Sequence, residues 1–290
     1  MESMPALDFQ KHITRLRQLL AAAEYTIDAY EHREQFLNED AEVVEARQAL
    51  LEDARSIIAK YGLEDQAEKL LNPSYASYLR PTEVAKPIIL SFALVSFCTE
   101  FEVFISQLVR CILAKDPRLL KSLGSEKTLT AAEVSDLGSY EGVIRRLHDK
   151  IVKEIIDSNP KRMVVHHLGK RLALFSEEEF AYDVKESLFY KVAQNRNAID
   201  LSKVRPARLG IADFEEVFRT RHAIVHDGEL PVTDLSGLRN ISTGFEWAET
   251  FLSLRAFRKY SIPIDEVALY GNCTWHGVDI GGAATPPSTT

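Results

Sequence analysis

One helix that is apolar on nearly all its sides constrains the fold of this chain more than any other feature. It covers residues 88–114, where large apolar side chains occupy most helical positions: Phe92, Leu94, Val95, Phe97, Phe101, Phe104, Ile105, Leu108, Ile112 and Leu113. A surface helix needs neighbours on one side, whereas a helix that is apolar all round needs them on every side. The pattern therefore predicts that this helix lies at the centre of a helical bundle or of a dimer.

The same apolar run is interrupted by charges in a way that is atypical of a membrane span. Within residues 87–113 the charged residues are Glu100, Glu102 and Arg110. Charged side chains are costly inside a bilayer, so a buried helix is predicted. The first residues have neither the basic nor the apolar region of a signal peptide, and three cysteines fit no disulfide framework. We therefore expect a cytoplasmic protein that does not associate with membranes.

Apolar residues recur at three- and four-residue intervals through most of the remaining chain, which is the pattern of amphipathic helices. Residues 8–30 and 40–60 predict an antiparallel helical hairpin, followed by a short helix at 64–71. Further helices are predicted at about 140–157, 161–174, 177–194, 213–227 and 233–259. Glycines and prolines are few, 13 and 11, and no run alternates between polar and apolar residues as a strand does. The predicted fold class is therefore all-α.

Local sequence signals predict three helix ends. Thr130 with Glu133, and Asp213 with Glu216, have the three-residue spacing of a capping box, which satisfies free N–H groups at a helix start. Gly228 is expected to end the helix that begins near Asp213, because glycine readily adopts the left-handed conformation of a C-terminal cap.

Prolines at positions 73, 81 and 87 mark the best candidate for a domain boundary. They divide an N-terminal helical region, residues 1–75, from a larger helical domain, residues 80–262. The last residues, 271–290, are rich in glycine, proline and threonine, so they are expected to be disordered.

The net charge of −8 limits how the chain could meet a nucleic acid. Proteins that coat nucleic acids are usually basic, and an acidic protein gains little from long-range attraction to phosphates. A local cationic cleft could still hold a few phosphates. The composition therefore argues against a constitutive, tight RNA-binding protein and leaves open a nuclease that engages a few phosphates.

The chemically richest segment is residues 221–228, with the sequence RHAIVHDG. Arg221 can hold a phosphate through its rigid fork of N–H donors, and histidine can transfer a proton near neutral pH. His222 and His226 are four residues apart and share one helix face. On a regular α-helix Arg221 and His226 are about 140° apart, so one helix could not readily clamp one phosphate with both. Either the arginine reaches round the helix end, or two chains contribute one motif each across a two-fold axis.

This segment resembles the R-φ-x-x-x-H motif of HEPN domains (higher eukaryotes and prokaryotes nucleotide-binding), in which φ is usually Asn, Asp or His. Arg221, His222 and His226 match the three motif positions, and the sequence FEVF around Glu102 is similar to the second-helix pattern of the family. The resemblance implies a compact helical bundle of HEPN type, here preceded by the N-terminal hairpin. In many members it implies a homodimeric, metal-independent ribonuclease of toxin–antitoxin or anti-phage systems, with an antitoxin or activating protein as a further partner.

For this chain the resemblance predicts an endoribonuclease that needs no cofactor. The 2′-OH of the RNA substrate would attack the adjacent phosphate, leaving a 2′,3′-cyclic phosphate and a free 5′-OH. His226 would act in proton transfer, Arg221 would stabilise the charge of the phosphorane, and His222 would orient the phosphate. DNA lacks the 2′-OH and is expected to resist cleavage.

Six further residues are candidates for the same site. Glu102 is an acid on an otherwise apolar helix, so it must be paired or lie near solvent at a cleft, where it could position Arg221 or a histidine. Glu100 is more consistent with solvent exposure. A basic loop and one helix residue could guide RNA phosphates or could be solvated without a role: Arg196, Lys203, Arg205, Arg208 and Arg219.

Three alternatives remain beside this site. Arg162 and His167 repeat the spacing, but a methionine occupies the second motif position, so this copy is predicted to be structural. His222 and His226 could chelate zinc, but no third ligand is apparent, so no metal site is predicted. Finally, Arg221 could be a solvated helix residue and His226 a helix cap, in a non-catalytic bundle that dimerises and binds RNA or protein.

Overall fold

The computed structural model describes residues 6–66, 81–119, 129–157, 172, 174 and 211–276. Its helices are α1 (Phe9–Glu39), α2 (Ala41–Lys60), α3 (Pro81–Lys115), α4 (Ala131–Leu137), α5 (Tyr140–Asp157), α6 (Ile211–His222), α7 (Leu235–Tyr260) and α8 (Glu266–His276), with a 3₁₀ turn at Glu64–Gln66 and a π-helical turn at Ala223–Asp227. These residues contain no strand, so the prediction of an all-α fold is confirmed. Apart from positions 172 and 174, the helices predicted at 161–174 and 177–194 lie outside the described residues.

Helix α3 lies at the centre of this structure, as its all-round apolar pattern predicts. It packs against α1, α5, α6 and α7, and Phe97, Phe101 and Phe104 on it are completely buried. The ring centroids of Phe101 and Phe245 on α7 are 5.0 Å apart, and those of Phe245 and Phe218 on α6 are 6.4 Å apart. Burying one such side chain contributes roughly 1.5–3 kcal/mol, so this contact among three helices is a major source of stability.

Helix α3 is also long and apolar enough to cross a membrane, with 35 residues and a mean hydropathy of 2.0 in its most apolar window. It is the one helix of the described residues that meets this test of length and composition. Core helices of soluble proteins meet the same test, and 56% of that window is buried inside the protein. The absence of membrane association therefore stays a prediction.

The expected boundary near residue 80 does not separate two hydrophobic cores. Phe9 and Ile13 of α1 are buried in the same core as α3 and α7, and the contact between α1 and α3 is the most extensive between any two described helices. The prolines suggest a linker, but Pro81 is the first residue of α3, where its fixed φ and missing N–H cost little. Within residues 1–75 it is α2 that projects from the core, with Arg47 as its one buried residue.

The C-terminal end also differs from the prediction. Residues 271–276, assigned by composition to a disordered tail, form the last turns of α8. Asp265 accepts a hydrogen bond from the N–H of Ala268 (3.0 Å) at the start of this helix, and Leu269 and Cys273 are completely buried. A glycine and several polar residues weaken the apolar pattern of α8, which is why the sequence does not reveal it. Residues 277–290 lie outside the described part.

Two of the three predicted helix ends are confirmed. Thr130 and Glu133 form the expected capping box at the start of α4. Gly228 ends the π-helical turn in the left-handed conformation, with a φ of 69° that favours glycine. The third end differs, because α6 begins at Ile211 and Asp213 therefore lies inside the helix rather than capping it.

Candidate functional site

The segment 221–226 leaves α6 through a π-helical turn. Helix α6 ends at His222, residues Ala223–Asp227 form the turn, and the N–H of Gly228 donates to the carbonyl of Ala223. Hydrogen-bonded residues are five apart in such turns, which are rare and frequently occur at functional sites. The 140° separation of positions 221 and 226 applies to a regular α-helix, so it does not carry over unchanged to this segment.

His222 and His226 form an exposed pair of imidazoles on this turn. Their ring centroids are 4.3 Å apart, and the angle between the ring planes is 38°. Both residues are exposed, as is the neighbouring Val225, with 51% of its surface accessible. The prediction that the two histidines share one face is confirmed, and both rings are accessible to a ligand from solvent.

Arg221 contacts the central helix. Its Nη1 atom is 3.7 Å from Oε1 of Glu102, and the two side chains are 28% and 17% exposed. This distance is too long for a hydrogen bond, so the contact is an ion pair that uses none of the N–H donors fully. The Nε atom of Arg221 is buried and has no hydrogen-bond partner among the described residues. A partly exposed guanidinium with unused donors can receive the oxygens of a phosphate.

Cys98 lies near this ion pair as an inert thiol. It precedes Glu102 by about one helical turn on α3 and is completely buried. Burial raises the pKa of Cys98 far above its ordinary value of 9.0, although the positive charge of Arg221 acts in the opposite direction. The thiol therefore stays protonated at neutral pH and is a poor nucleophile. The reactive groups of this site are consequently the imidazoles and the guanidinium.

The four residues predicted to be catalytic thus lie where the end of α6 meets α3. Glu102 pairs with Arg221, which is the first of the two arrangements that the sequence allowed for this acid. Arg219, the one predicted RNA contact that the structure describes, lies elsewhere on α6. Arg219 is exposed and is hydrogen-bonded to Glu216, and a spacing of two residues places it about 200° around α6 from Arg221. Arg219 is therefore separate from the Glu102–Arg221 pair.

The remaining predicted residues cannot be placed relative to this site. The basic loop lies outside the described residues, and so does the second Arg-x4-His sequence: Arg196, Lys203, Arg205, Arg208, Arg162 and His167. Their roles as RNA contacts, or as a structural copy of the motif, stay predictions.

A buried polar cluster on another side of α3 has no counterpart among the sequence predictions. Glu100, expected to face solvent, is buried, and its Oε1 is 2.7 Å from Nδ1 of His12 on α1. Nε2 of His12 is 2.6 Å from Oε1 of Gln107, and Arg15 donates to both oxygens of Glu100 at 3.4 and 3.3 Å. The signal that could have revealed this cluster is the position of His12 on the apolar stripe of α1.

A second buried cluster joins α1, α7 and α8. Glu246 accepts two hydrogen bonds from Arg17, at 3.0 and 2.8 Å, and Nε2 of His276 lies 3.5 Å from it. Burial alone would raise the pKa of Glu246, but the interactions with His276 and Arg17 outweigh burial and lower it. Nearly one turn further along α7, Glu249 is completely buried, and neither of its carboxylate oxygens is hydrogen-bonded to any described residue. Burial, together with the charges of Glu100 and Glu246, raises the pKa of Glu249 well above 4.5.

No group of three or more His, Cys, Asp or Glu side chains is arranged to hold a metal ion within the described residues. Comparisons with family models, with curated proteins and with solved structures find no match for this chain. A functional assignment therefore depends on the residues and contacts of the chain itself.

Proposed function

We propose that this protein is a metal-independent endoribonuclease built on a HEPN-like helical bundle. The observation that carries the proposal is the arrangement at the end of α6. Arg221 is held against Glu102 with N–H donors unused, and two exposed imidazoles stand 4.3 Å apart on the adjoining π-helical turn. This combination supplies phosphate binding and proton transfer from side chains alone.

In the proposed reaction the 2′-oxygen of RNA forms a bond to the adjacent phosphorus, and the bond from phosphorus to the 5′-oxygen breaks. The proton of the 2′-OH is removed and the leaving 5′-oxygen gains a proton, so the products are a 2′,3′-cyclic phosphate and a 5′-OH. His226 acts in this proton transfer, while His222 orients the phosphate. Arg221 stabilises the additional negative charge of the phosphorane, a contribution of roughly 10²–10³-fold in rate for one well-placed donor.

Glu102 acts in this proposal as a positioning residue. An arginine side chain on its own has many rotamers, and fixing it costs conformational entropy. The ion pair with Glu102 restrains the guanidinium beside α3, while the length of the contact leaves hydrogen-bonding capacity for a phosphate. Glu102 therefore reduces the conformational entropy that Arg221 would lose on binding a phosphate.

A second copy of the chain completes the proposed site. Val84, Ile88, Phe92 and Val103 are exposed apolar residues on one face of α3, with Phe92 63% exposed. Exposed apolar stripes of this kind commonly mark interaction surfaces. Val103 adjoins Glu102, so two copies packed through this α3 stripe would bring two Arg221 sites to the same interface. A two-fold contact of this type uses the same patch on both chains.

The alternative function is a non-catalytic HEPN-like module that dimerises and binds RNA or a protein. The net charge of −8 favours it, because an acidic chain attracts RNA weakly over long distances. The exposed α3 stripe is equally suited to such a module. For the ribonuclease we propose the role of a toxin or defence effector that an antitoxin or activating protein controls. The non-catalytic alternative carries no such role.

The experiment that separates the two functions is cleavage of an end-labelled RNA by the full chain with and without EDTA. The ribonuclease proposal expects equal rates, products ending in a 2′,3′-cyclic phosphate, and no cleavage of the same sequence carrying 2′-O-methyl groups. Cleavage that needs Mg²⁺, or binding without cleavage, would support the alternative or a different enzyme.

A further inference from the structure

A cavity opens between the start of α1 and the middle of α3. Its volume is about 370 Å³, and its polar lining includes Asp8, Lys11, His12, Arg15, Gln107 and Arg110. Gln107 and Glu102 are five residues apart on α3, which places them about 140° apart around the helix. The lining also includes Ser106, one helical turn after Glu102, and Val103 of the α3 stripe, so the cavity adjoins the proposed dimer interface.

Three cationic side chains meet at this cavity. Lys11 is exposed, and its side chain forms no hydrogen bond or ion pair within the described residues. The side chain of Arg15 is 45% exposed and contacts Glu100 at a long 3.3 Å. The side chain of Arg110 is 48% exposed and contacts Asp149 at 2.8 Å. A guanidinium has five N–H donors, so both arginines retain donors beyond these contacts.

The floor of the cavity is held in one arrangement. Nε2 of Gln107 donates to the carbonyl of Ala6 (3.2 Å), which orients Oε1 of the same amide toward His12. Glu100 and Gln107 thus present acceptor oxygens to the two ring nitrogens of His12. These contacts fix the orientation of the His12 ring at the floor of the cavity.

We propose that this cavity binds the phosphate group of a nucleotide or of RNA. Lys11, Arg15 and Arg110 are the charge types with which proteins hold phosphate, and among the lining residues they face one acidic side chain, Asp8. A cavity of about 370 Å³ lies within the size range of sites for small organic ligands, so it has room for a sugar beside the phosphate. The proposal goes beyond the ribonuclease function and does not depend on it.

The test is calorimetric titration of the full chain with pyrophosphate at low salt. An Arg221→Ala background removes binding at the proposed ribonuclease site. In that background we expect Lys11→Ala and Arg110→Ala each to weaken binding about tenfold, because each removes a charged donor. Asp149→Ala is the matched control for Arg110→Ala, since it breaks the same ion pair but keeps the cation, and it should bind at least as tightly as the background protein.

Asp8→Asn should instead tighten pyrophosphate binding by about twofold to tenfold, because it removes the negative charge of the one acidic lining residue. Titrations with AMP and with a short 2′-O-methyl RNA lacking terminal phosphates then distinguish the source of the phosphate. The ligand whose affinity falls with Lys11→Ala is the one that the cavity holds. The proposal is overturned if pyrophosphate does not bind at millimolar concentration, or if the Lys11→Ala/Arg110→Ala double variant binds as well as its background.

Discussion

Glu100 and Glu102 are two residues apart on α3, yet they sit in opposite kinds of environment. Glu100 is buried, and His12 and Arg15 both bond to it, with the imidazole contact at 2.7 Å. Glu102 is partly exposed and meets Arg221 at 3.7 Å, without a hydrogen bond between the facing atoms. The spacing of two residues turns them about 200° apart around the helix, so each faces a different neighbouring helix.

The environments of Glu100 and Glu102 distinguish a contact that stabilises the fold from one that leaves a side chain able to bind a ligand. Buried polar groups that are fully hydrogen-bonded are rigid and hold their elements in register. The His12–Glu100 contact has this character, because Gln107 occupies the second ring nitrogen as well. Within the described residues the buried Nε atom of Arg221 has no partner, and the long ion pair with Glu102 leaves the Nη donors capacity for a phosphate. The predictions below test this division, beginning with the largest expected effect.

Arg221→Ala should lower the rate of RNA cleavage by about 10²–10³-fold, because the charge that stabilises the phosphorane is lost. Arg221→Lys should restore little, since an ammonium lacks the fork that binds two phosphate oxygens. The measurement is the single-turnover cleavage rate, accompanied by a thermal melt to confirm folding. Arg219→Ala is the matched control and should keep nearly full activity, because Arg219 pairs with Glu216 away from the site. Equal losses in both variants would contradict the account.

Phe92→Glu should prevent formation of the proposed homodimer and leave a monomer. Phe92 is 63% exposed, so the monomer tolerates the change, whereas a charge buried in the proposed interface is costly. The measurement is light scattering at micromolar concentration, with Tyr25→Glu on α1, 77% exposed, as the control that stays dimeric. A wild-type protein that is monomeric at this concentration would remove the dimer from the proposal.

His12→Ala should destabilise the fold by about 3–5 kcal/mol, because it leaves the buried carboxylate of Glu100 without its closest partner. Glu102→Gln should cost less than about 1 kcal/mol, since the ion pair it breaks is long and partly exposed. Urea unfolding of the two variants measures both values. A larger cost for Glu102→Gln than for His12→Ala would reverse the roles assigned to the two flanks of α3.

Glu249→Met should stabilise the protein by about 1–3 kcal/mol at pH 8, because it replaces a buried acid whose oxygens have no hydrogen bonds within the described part of the chain. Burial raises the folded-state pKa of Glu249, so below pH 4.5 both the folded and the unfolded state are protonated. As pH rises above 4.5, the unfolded state ionises first, and the wild type therefore loses stability.

The difference in the free energy of unfolding between Glu249→Met and wild type should accordingly increase from pH 5 to pH 8. Urea unfolding at both pH values measures this difference. Thr250→Val, at the neighbouring buried position, provides a control whose effect should not change with pH. A difference that decreases as pH rises would show that Glu249 is ionised and paired in the folded protein.

The sequence predicts the parts of this fold that depend on local pattern. The all-round apolar stretch places α3 at the centre, the Thr130–Glu133 spacing gives a capping box, and Gly228 gives a helix end. For the acid at position 102 the sequence predicts either a partner or solvent, and the structure shows the partner, Arg221.

The features that the sequence does not reveal depend on contacts between distant segments. Solvent exposure was expected for Glu100 because its partner, His12, lies 88 residues earlier in the chain. The π-helical turn at residues 223–227 contacts α3, and no residue type in that segment requires it. Helix α8 is stabilised by burial against α1 and α7 rather than by its own weak apolar pattern.

The central claim is that His226 takes part in proton transfer at a site that needs no metal. The most direct test compares His226→Ala with His167→Ala, the same substitution in the second Arg-x4-His sequence, by cleavage of RNA in EDTA. We predict a loss of about 10²–10⁴-fold for His226→Ala, the usual cost of removing a general acid or base, and nearly wild-type cleavage for folded His167→Ala. Undiminished cleavage by His226→Ala, or an equal loss in both variants, would contradict the assignment.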